Sequence, residues 1–399
     1  MSRKWLLPLL LVVMLALVTG CWNRRELNTL GIAVGVGIDK AGDQFEVSAQ
    51  VVDPDEVASK QGGGGRSPVV LYDARGASIF EAMRKMTKQS PRKIYLSHVR
   101  ILVIGESLAR EGIADVLDFL SRDHELRTDF FIIVAKHTKA KNILNVMTPM
   151  EKIPAVSLFN SLESSEKAWA PTRNTNLNEL MSDLTSEGKQ AILTGIELKG
   201  DKEAAGNKKN VEEIDSSGRL QYTGLAAFKG DKLVGWLSEL ESKTYNYLTG
   251  HVKSTVGILK CPNGGSIALE VIRSKQTIKG KLENGKPSID VKLRIEANVA
   301  EVACRIDLTK TPTIEEIEQL ANQRLQSFIE ASVKKIQKKY KADIFGFGQA
   351  IHRSEPKLWK QIGKEWDAYF AKLPVNVKVD VNIRRLGTVN NSFIQEMKE

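Results

Sequence analysis

The sequence predicts a multidomain α+β protein: a mixed α/β N-terminal region, then a C-terminal antiparallel sheet backed by one long helix. Three observations carry this. Short apolar runs alternate with helix-period segments through residues 70–198, the pattern of strands covered by helices on at least one side. After about residue 250, longer runs place polar residues at alternate positions and are joined by Asn-Gly and Gly-Gly turns. Finally, TPTIEEIEQLANQRLQSFIEASVKKIQKKYKAD keeps apolar residues at helical spacing over roughly 30 positions.

The chain opens MSRKWLLPLLLVVMLALVTGCWNRREL. Arg3 and Lys4 form a positive n-region, and Trp5 to Val18 is an apolar core interrupted only by Pro8. About fourteen residues, at about 1.5 Å each, are too few to span a bilayer core. Residues 1–20 therefore read as an export signal; an uncleaved anchor from Leu6 to Cys21 is the alternative. VTGC follows the order of bacterial lipoprotein processing: a branched apolar residue, a small one, Gly, then Cys21. Small residues let the chain enter a peptidase site extended, and the Cys21 thiol then carries a diacylglyceryl group. Each buried CH₂ contributes about 0.8 kcal/mol, so one acyl chain binds marginally and two hold firmly. Trp22, Arg24 and Arg25 follow directly. An aromatic and two cations suit the headgroup region, or equally pack against the first domain.

Next come two strands, LGIAVGVGID and FEVSAQVVD, around the turn KAGD, which predicts a hairpin. KQGGGGRSP, at 60–68, is a loop; its glycines lack the following GK[ST] of a phosphate-cradling loop. LGIAVGVGID likewise lacks a complete GxGxxG and no helix plainly follows it, so it does not read as a dinucleotide site. PVVLYD is a strand, Ala74 to Lys88 a helix bearing Ile79, Met83 and Met86, HVRILVIG a strand, SLAREGIADVLDFLSRD a helix and DFFIIVA a strand. TKAKNILNVM is helical, MTPMEKIPAVSLFNSLESSEKA a looser helical piece, TNLNELMSDLTSEG a helix ending near Gly188, and AILTGIEL a strand. The N-terminal α/β region thus covers 21–198, with room for a second subdomain at about 150–190.

Residues 199–219, KGDKEAAGNKKNVEEIDSSGR, are polar and read as a linker or surface loop before a C-terminal domain at 220–399. LQYTGLAAFKGDKLVGWLS is a hairpin turning at Gly230-Asp231-Lys232, followed by a helix at about 238–248. In GWL and its surroundings, Leu233, Val234 and Trp236 are either hairpin packing or a surface on which partners dock. The long helix starts with a TIEE capping box at Thr313 and Glu316. It turns Ile317, Leu320, Leu325, Phe328, Ile329, Ile336 and Tyr340 to one face and would be about 40 Å long. Its lysine run at 334–341 suits the helix C-terminus or, alternatively, lipid headgroups. Trp359, Trp366 and Phe370 offer large packing surfaces. In VNVKVDVNI, the valines 375, 377, 379 and 381 face a core.

Composition is that of a globular chain. The formal charge is +10, or +8 once Arg3 and Lys4 leave with the signal. That balance is compatible with an anionic membrane surface, but no basic-aromatic module or zinc-finger spacing points to nucleic acid. Cys261 and Cys304 are either a pair or buried thiols, and no CxxC occurs. His98, His124, His137, His251 and His352 are scattered without HExxH, and DHE at 123–125 reads as solvated surface. There is no GxSxG or SxxK. No catalytic set, metal site or cofactor is expected.

GCWNRREL with GIAVGVGIDK, TGLAAFKGDKLVGWLSELES, and IGKEWDAYF with VNVKVDVNIRRLGTV resemble, in that order, the Ger(x)C family, lipoprotein C-subunits of spore germinant receptors. The resemblance implies a non-enzymatic, three-domain α+β subunit on the outer surface of the spore inner membrane. It implies integral membrane A- and B-type receptor subunits as partners, and Cys21 as the diacylglyceryl site. Two positions depart from the family's habit: Asn23 replaces an acidic residue, and Lys243-Thr244 replaces Arg-Gly. An extracytoplasmic solute-binding lipoprotein is the alternative, and would show a preformed polar cleft between domains.

Overall fold

The computed structural model describes residues 29–58, 66–261 and 264–387. The signal segment, Cys21, Trp22, Arg24, Arg25 and most of the glycine-rich loop lie outside these. β1 (Leu30–Ala41) and β2 (Gln44–Val52) form the predicted hairpin, Ala41 opposite Gln44. After the short α1 (Pro54–Ala58), β3 (Val69–Gly76) pairs antiparallel with β2. The helix expected from Ala74 starts later, because Ala74–Gly76 still pair with β2. α2 runs Ile79–Lys85, its first turn capped by Ser78 Oγ, which accepts from Glu81 N at 3.1 Å, and a 3₁₀ turn continues to Lys88.

β4 (Lys93–Tyr95) and β5 (Ile101–Gly105) both lie parallel to β1. The single helix expected over 107–123 is two, α3 (Glu106–Glu111) and α4 (Ala114–Arg122), broken at Gly112 with φ 139°. β6 (Phe131–Ala135) runs parallel to β5. α5 (Ala140–Leu144) and α6 (Pro154–Ala168) follow, the latter a regular 15-residue helix rather than a loose piece. α7 (Leu177–Thr185) starts on an Asn176–Glu179 capping box, and β7 (Ile192–Gly200) runs parallel to β6. The parallel centre is covered on both faces, which explains the continuous apolar runs ILVIG and FIIVA. Leu102, Ile104, Ile132 and Val134 meet α2, α4 and α7, while Ile101, Val103 and Ile133 meet α5 and α6.

The polar stretch 199–219 does not separate two sheets. α8 (Lys202–Ala205) and α9 (Lys209–Glu212) are short turns, and β8 (Gly218–Lys229) returns antiparallel to β7 with Gly200 opposite Gly218. Asn210 is buried within the stretch: its amide donates to Met147 O and Gly218 O and accepts from Gly218 N, at 2.9–3.0 Å. β9 (Lys232–Trp236) adds a hairpin at Gly230, φ 57°. Among the described residues the first sheet therefore has nine strands, ordered β3-β2-β1-β5-β6-β7-β8-β9 with β4 also on β1, and it crosses residues 199–219. The segment expected as a subdomain at 150–190 supplies α6 and α7 to the two faces of that same sheet.

α10 (Glu239–Thr249) starts on a Ser238–Glu241 capping box and ends at Gly250, φ 79°. β10 (Thr255–Lys260), β11 (Ser266–Glu283) and β12 (Lys286–Val302) form an antiparallel meander, and Cys261 and Cys304 are disulfide-bonded. α11 (Thr311–Tyr340) starts without the expected capping box: Lys310 is the N-cap residue, Pro312 lies in the first turn, and Thr313 is already helical. α12 (Phe347–Ser354), α13 (Pro356–Ile362) and α14 (Trp366–Phe370) follow, with Trp359, Trp366 and Phe370 buried as expected. β13 (Val375–Arg385) buries Val377, Val379 and Val381. It runs parallel to β12, so the second sheet is antiparallel over three strands and parallel at its last pair. The intervening helices carry the chain back across the sheet, as a parallel pairing requires.

Candidate functional site

Trp236 sits at the junction of the two halves. β9 delivers its ring against the start of α3, where indole Nε1 donates to Glu106 Oε1 at 3.0 Å and Lys136 Nζ lies 5.5 Å from the ring centroid. Burial opposes charge on Glu106, but the His137 N–H at 2.8 Å, the indole and Arg110 outweigh it and hold the carboxyl below its usual range. On the other side Tyr340 of α11 donates its hydroxyl to Trp236 O at 2.6 Å, and a Cβ at Gly235 would strike the Tyr340 ring. Of the hairpin residues expected to pack, Leu233 is buried, Trp236 half-buried and Val234 exposed. GWL is thus largely a joint inside the molecule.

A second joint links segment 169–176 to α10. Arg173 is buried, donates to the Tyr245 hydroxyl and stands 3.8 Å from Glu179. Asn246 donates to Ala170 O and to Thr172 O, while Ser242 Oγ accepts from Leu225 N at 3.0 Å. Nearby His251 is pushed down to about 3 by burial and by the charges of Arg173, Lys189 and Lys253. Lys243 Nζ lies 3.8 Å from the Trp169 ring centroid. No local pattern in the sequence announces the Arg173–Tyr245 and Asn246 contacts, because they join positions 72 to 76 residues apart.

Two open concavities flank this frame. One, of about 720 Å³, lies between α2 and α4 and carries Asp123, His124 and Glu125 on its rim. Asp123 Oδ1 accepts from Glu125 N at 2.8 Å, and Glu125 pairs with Lys93 at 2.5 Å, so DHE serves partly as local structure. The other, of about 1090 Å³, is an apolar groove between β10, α10 and α11. Its walls include Trp169, Leu240, Leu320 and Phe328, so it is unlike the polar cleft that solute binding would need. Among the described residues no three His, Cys, Asp or Glu side chains gather into a metal-sized group. Buried carboxylates instead hold main-chain N–H groups: Asp39 accepts from Ala140 N (2.8 Å) and Lys141 N (3.0 Å) and fixes the start of α5.

This architecture has known counterparts. The crystal structure of the GerBC protein superposes with a TM-score of 0.56 at 20% identity, covering 90% of this chain and 99% of that one, a likeness of fold. Spore germination protein KC of Bacillus subtilis (strain 168) is 33% identical over 407 aligned positions, with both chains covered in full. Spore germination protein B3 of the same organism is 24% identical over 94% of this chain and 96% of its own length. Residues 23–198 match the family described as spore germination protein N-terminal domain, and residues 223–387 match spore germination B3/GerAC-like, C-terminal. With both halves matched in order and a full-length relative above 30% identity, the chain belongs to the GerAC-like family of spore germination proteins.

Proposed function

We propose that this protein is the lipid-anchored C-subunit of a nutrient germinant receptor, working without catalysis through contacts with integral membrane A- and B-type subunits. The observation that carries the reading is the full-length match to spore germination protein KC, joined to the VTGC motif that ends in Cys21. Cys21 takes the diacylglyceryl group. Trp22, Arg24 and Arg25 lie at the membrane surface, on the outer face of the spore inner membrane. Anchoring concentrates the folded halves beside the membrane subunits and turns docking into a local encounter.

The deciding comparison sets wild type against Cys21→Ala at matched protein levels. Membrane recovery and nutrient-triggered germination are both expected to fall. Release from the membrane with germination unchanged would show that anchoring is not how the protein works.

A further inference from the structure

The second sheet has two edges, and the chain treats them differently. At β13, α11 supplies acceptors to outward N–H groups: Val381 N donates to Asn322 Oδ1 and Ile383 N to Glu318 Oε1, both at 2.7 Å. At β10, the opposite edge, no described residue does this. The direction of its main-chain groups follows from the turn. Cys261 donates to Gly265 O at 3.2 Å, so alternation assigns the ladder bonds to Leu259, Gly257 and Thr255, opposite Ile267, Leu269 and Val271. Val256 and Ile258 then turn their N–H and C=O groups outward.

The apolar groove runs along this edge. Five consecutive residues, Val256 to Lys260, line it, so it borders the strand's edge as well as one face. A Cβ built on Gly257 meets nothing within 4 Å. Ile258 is 51% exposed, Leu240 57% and Trp169 39%. Lys243, Lys260 and Arg324 are the charged residues lining the groove, and no acid is among the described lining residues. A free edge beside a helix-walled apolar groove is the arrangement in which an added strand gains main-chain hydrogen bonds and places alternate side chains in pockets.

Lys243 already pairs with Glu239 at 3.4 Å. We infer that β10 is a docking strand for an acidic, extended segment of a partner protein, with apolar residues at alternate positions and carboxylates against Lys260 and Arg324. Charge favours an acidic partner over a second copy of this chain, whose own β10, TVGILK, carries no acid to meet these cations. A lipid chain would use the apolar walls but not the outward N–H groups. The inference stands independently of the receptor reading, because its probe is a peptide rather than a receptor subunit.

The test uses the mature chain, residues 21–399, and two fluorescein-labelled ten-residue peptides alternating valine with glutamate or valine with lysine, followed by anisotropy. The glutamate peptide is expected to bind about tenfold or more tighter than the lysine peptide. Ile258→Pro removes an outward N–H and spares the ladder donors, as edge strands tolerate; it should weaken binding about tenfold or more with the thermal midpoint little changed. Should that variant not fold, Lys260→Glu with Arg324→Glu carries the test and should reverse the peptide preference. Equal binding of the two peptides, or binding indifferent to the folded variants, overturns the inference. So does displacement of the glutamate peptide by phosphatidylglycerol vesicles, or dimerisation through β10. Deletion of residues 388–399 that raises affinity tenfold would assign the groove to the chain's own tail and overturn it equally.

Discussion

Asp343 shows how a single side chain holds a fold against its own solvation cost. It is fully buried, and Oδ1 accepts from Phe345 N (3.1 Å) and Gly346 N (3.0 Å) while Oδ2 accepts from Gly348 N (2.7 Å) and Trp366 Nε1 (2.9 Å). Burial pushes its carboxyl up to about 6, outweighing donors that favour the charge. A folded-state value above the unfolded one means that the protonated acid's contribution is fully present below about pH 4 and is lost as pH rises through about 6. A rise from the ordinary aspartate value to about 6 corresponds to about 3 kcal/mol. Denaturant titrations of wild type and Asp343→Asn should therefore show the wild-type advantage shrinking by about 3 kcal/mol between pH 4 and pH 7. An advantage that stays flat, or grows with pH, contradicts this account. Little of it was legible in the sequence: in YKADIFGFG, Asp343 follows a lysine-rich helix end and looks like any solvated acid. Its donors come from a turn and from Trp366, 23 residues on. On sequence alone the Cys261–Cys304 pair stays open for the same reason, since 43 positions separate the two and only the folded meander brings them together.

α11 is the element on which the C-terminal half depends. Ile329, Val333 and Ile336 bury its central face. Gln337 donates to Phe370 O and Leu373 O, both at 2.9 Å, tying the helix to the turn that leads into β13. Asn322 and Glu318 then satisfy the exposed N–H groups of β13. Losing a hydrogen-bond partner at a part-buried site costs about 1–2 kcal/mol. The double variant Asn322→Ala, Glu318→Ala should thus lower unfolding free energy by about 2–4 kcal/mol, with faster amide exchange at Val381 and Ile383 than at Val377. Uniform exchange along β13 would show that the helix does not protect this edge. The helix was readable because its apolar residues recur at helical spacing and its lysines gather at the C-terminal end. A Thr313 N-cap lies three residues beyond the true one, Lys310: a Thr-x-x-Glu pattern looks the same inside a helix as at its cap, and Pro312 is equally at home in the first turn. The parallel direction of β13 left no trace in VNVKVDVNI, whose alternation is the same whichever way the neighbour runs.

At the scale of the whole molecule, the two halves share a sheet. β7 ends at Gly200 and β8 begins at Gly218, and the two pair over eight residue positions despite the polar excursion between them. Alternate residues of β8 feed different cores: Ala226 and Phe228 pack with the N-terminal helices, Leu225 and Ala227 with α10 and the C-terminal sheet. The sequence leaves 199–219 as a linker or a surface loop because charge and glycine there outweigh a few buried contacts, notably Asn210, whose role depends on Met147 and Gly218. A fragment ending at residue 198 keeps nearly the whole N-terminal α/β region. It nevertheless strips β7 of its antiparallel neighbour and uncovers Ile192 and Leu193, both fully buried in the intact chain. An open apolar edge of this kind favours association over a unique fold. Residues 29–198 made alone should therefore lack a cooperative thermal transition and self-associate, whereas residues 29–252, which restore β8, β9 and α10, should recover both near-ultraviolet circular dichroism and a monomeric sedimentation profile. A shorter fragment that melts cooperatively as a monomer would show that the first sheet is complete without the strands beyond residue 219, and that the two halves fold as separable units joined by the polar stretch.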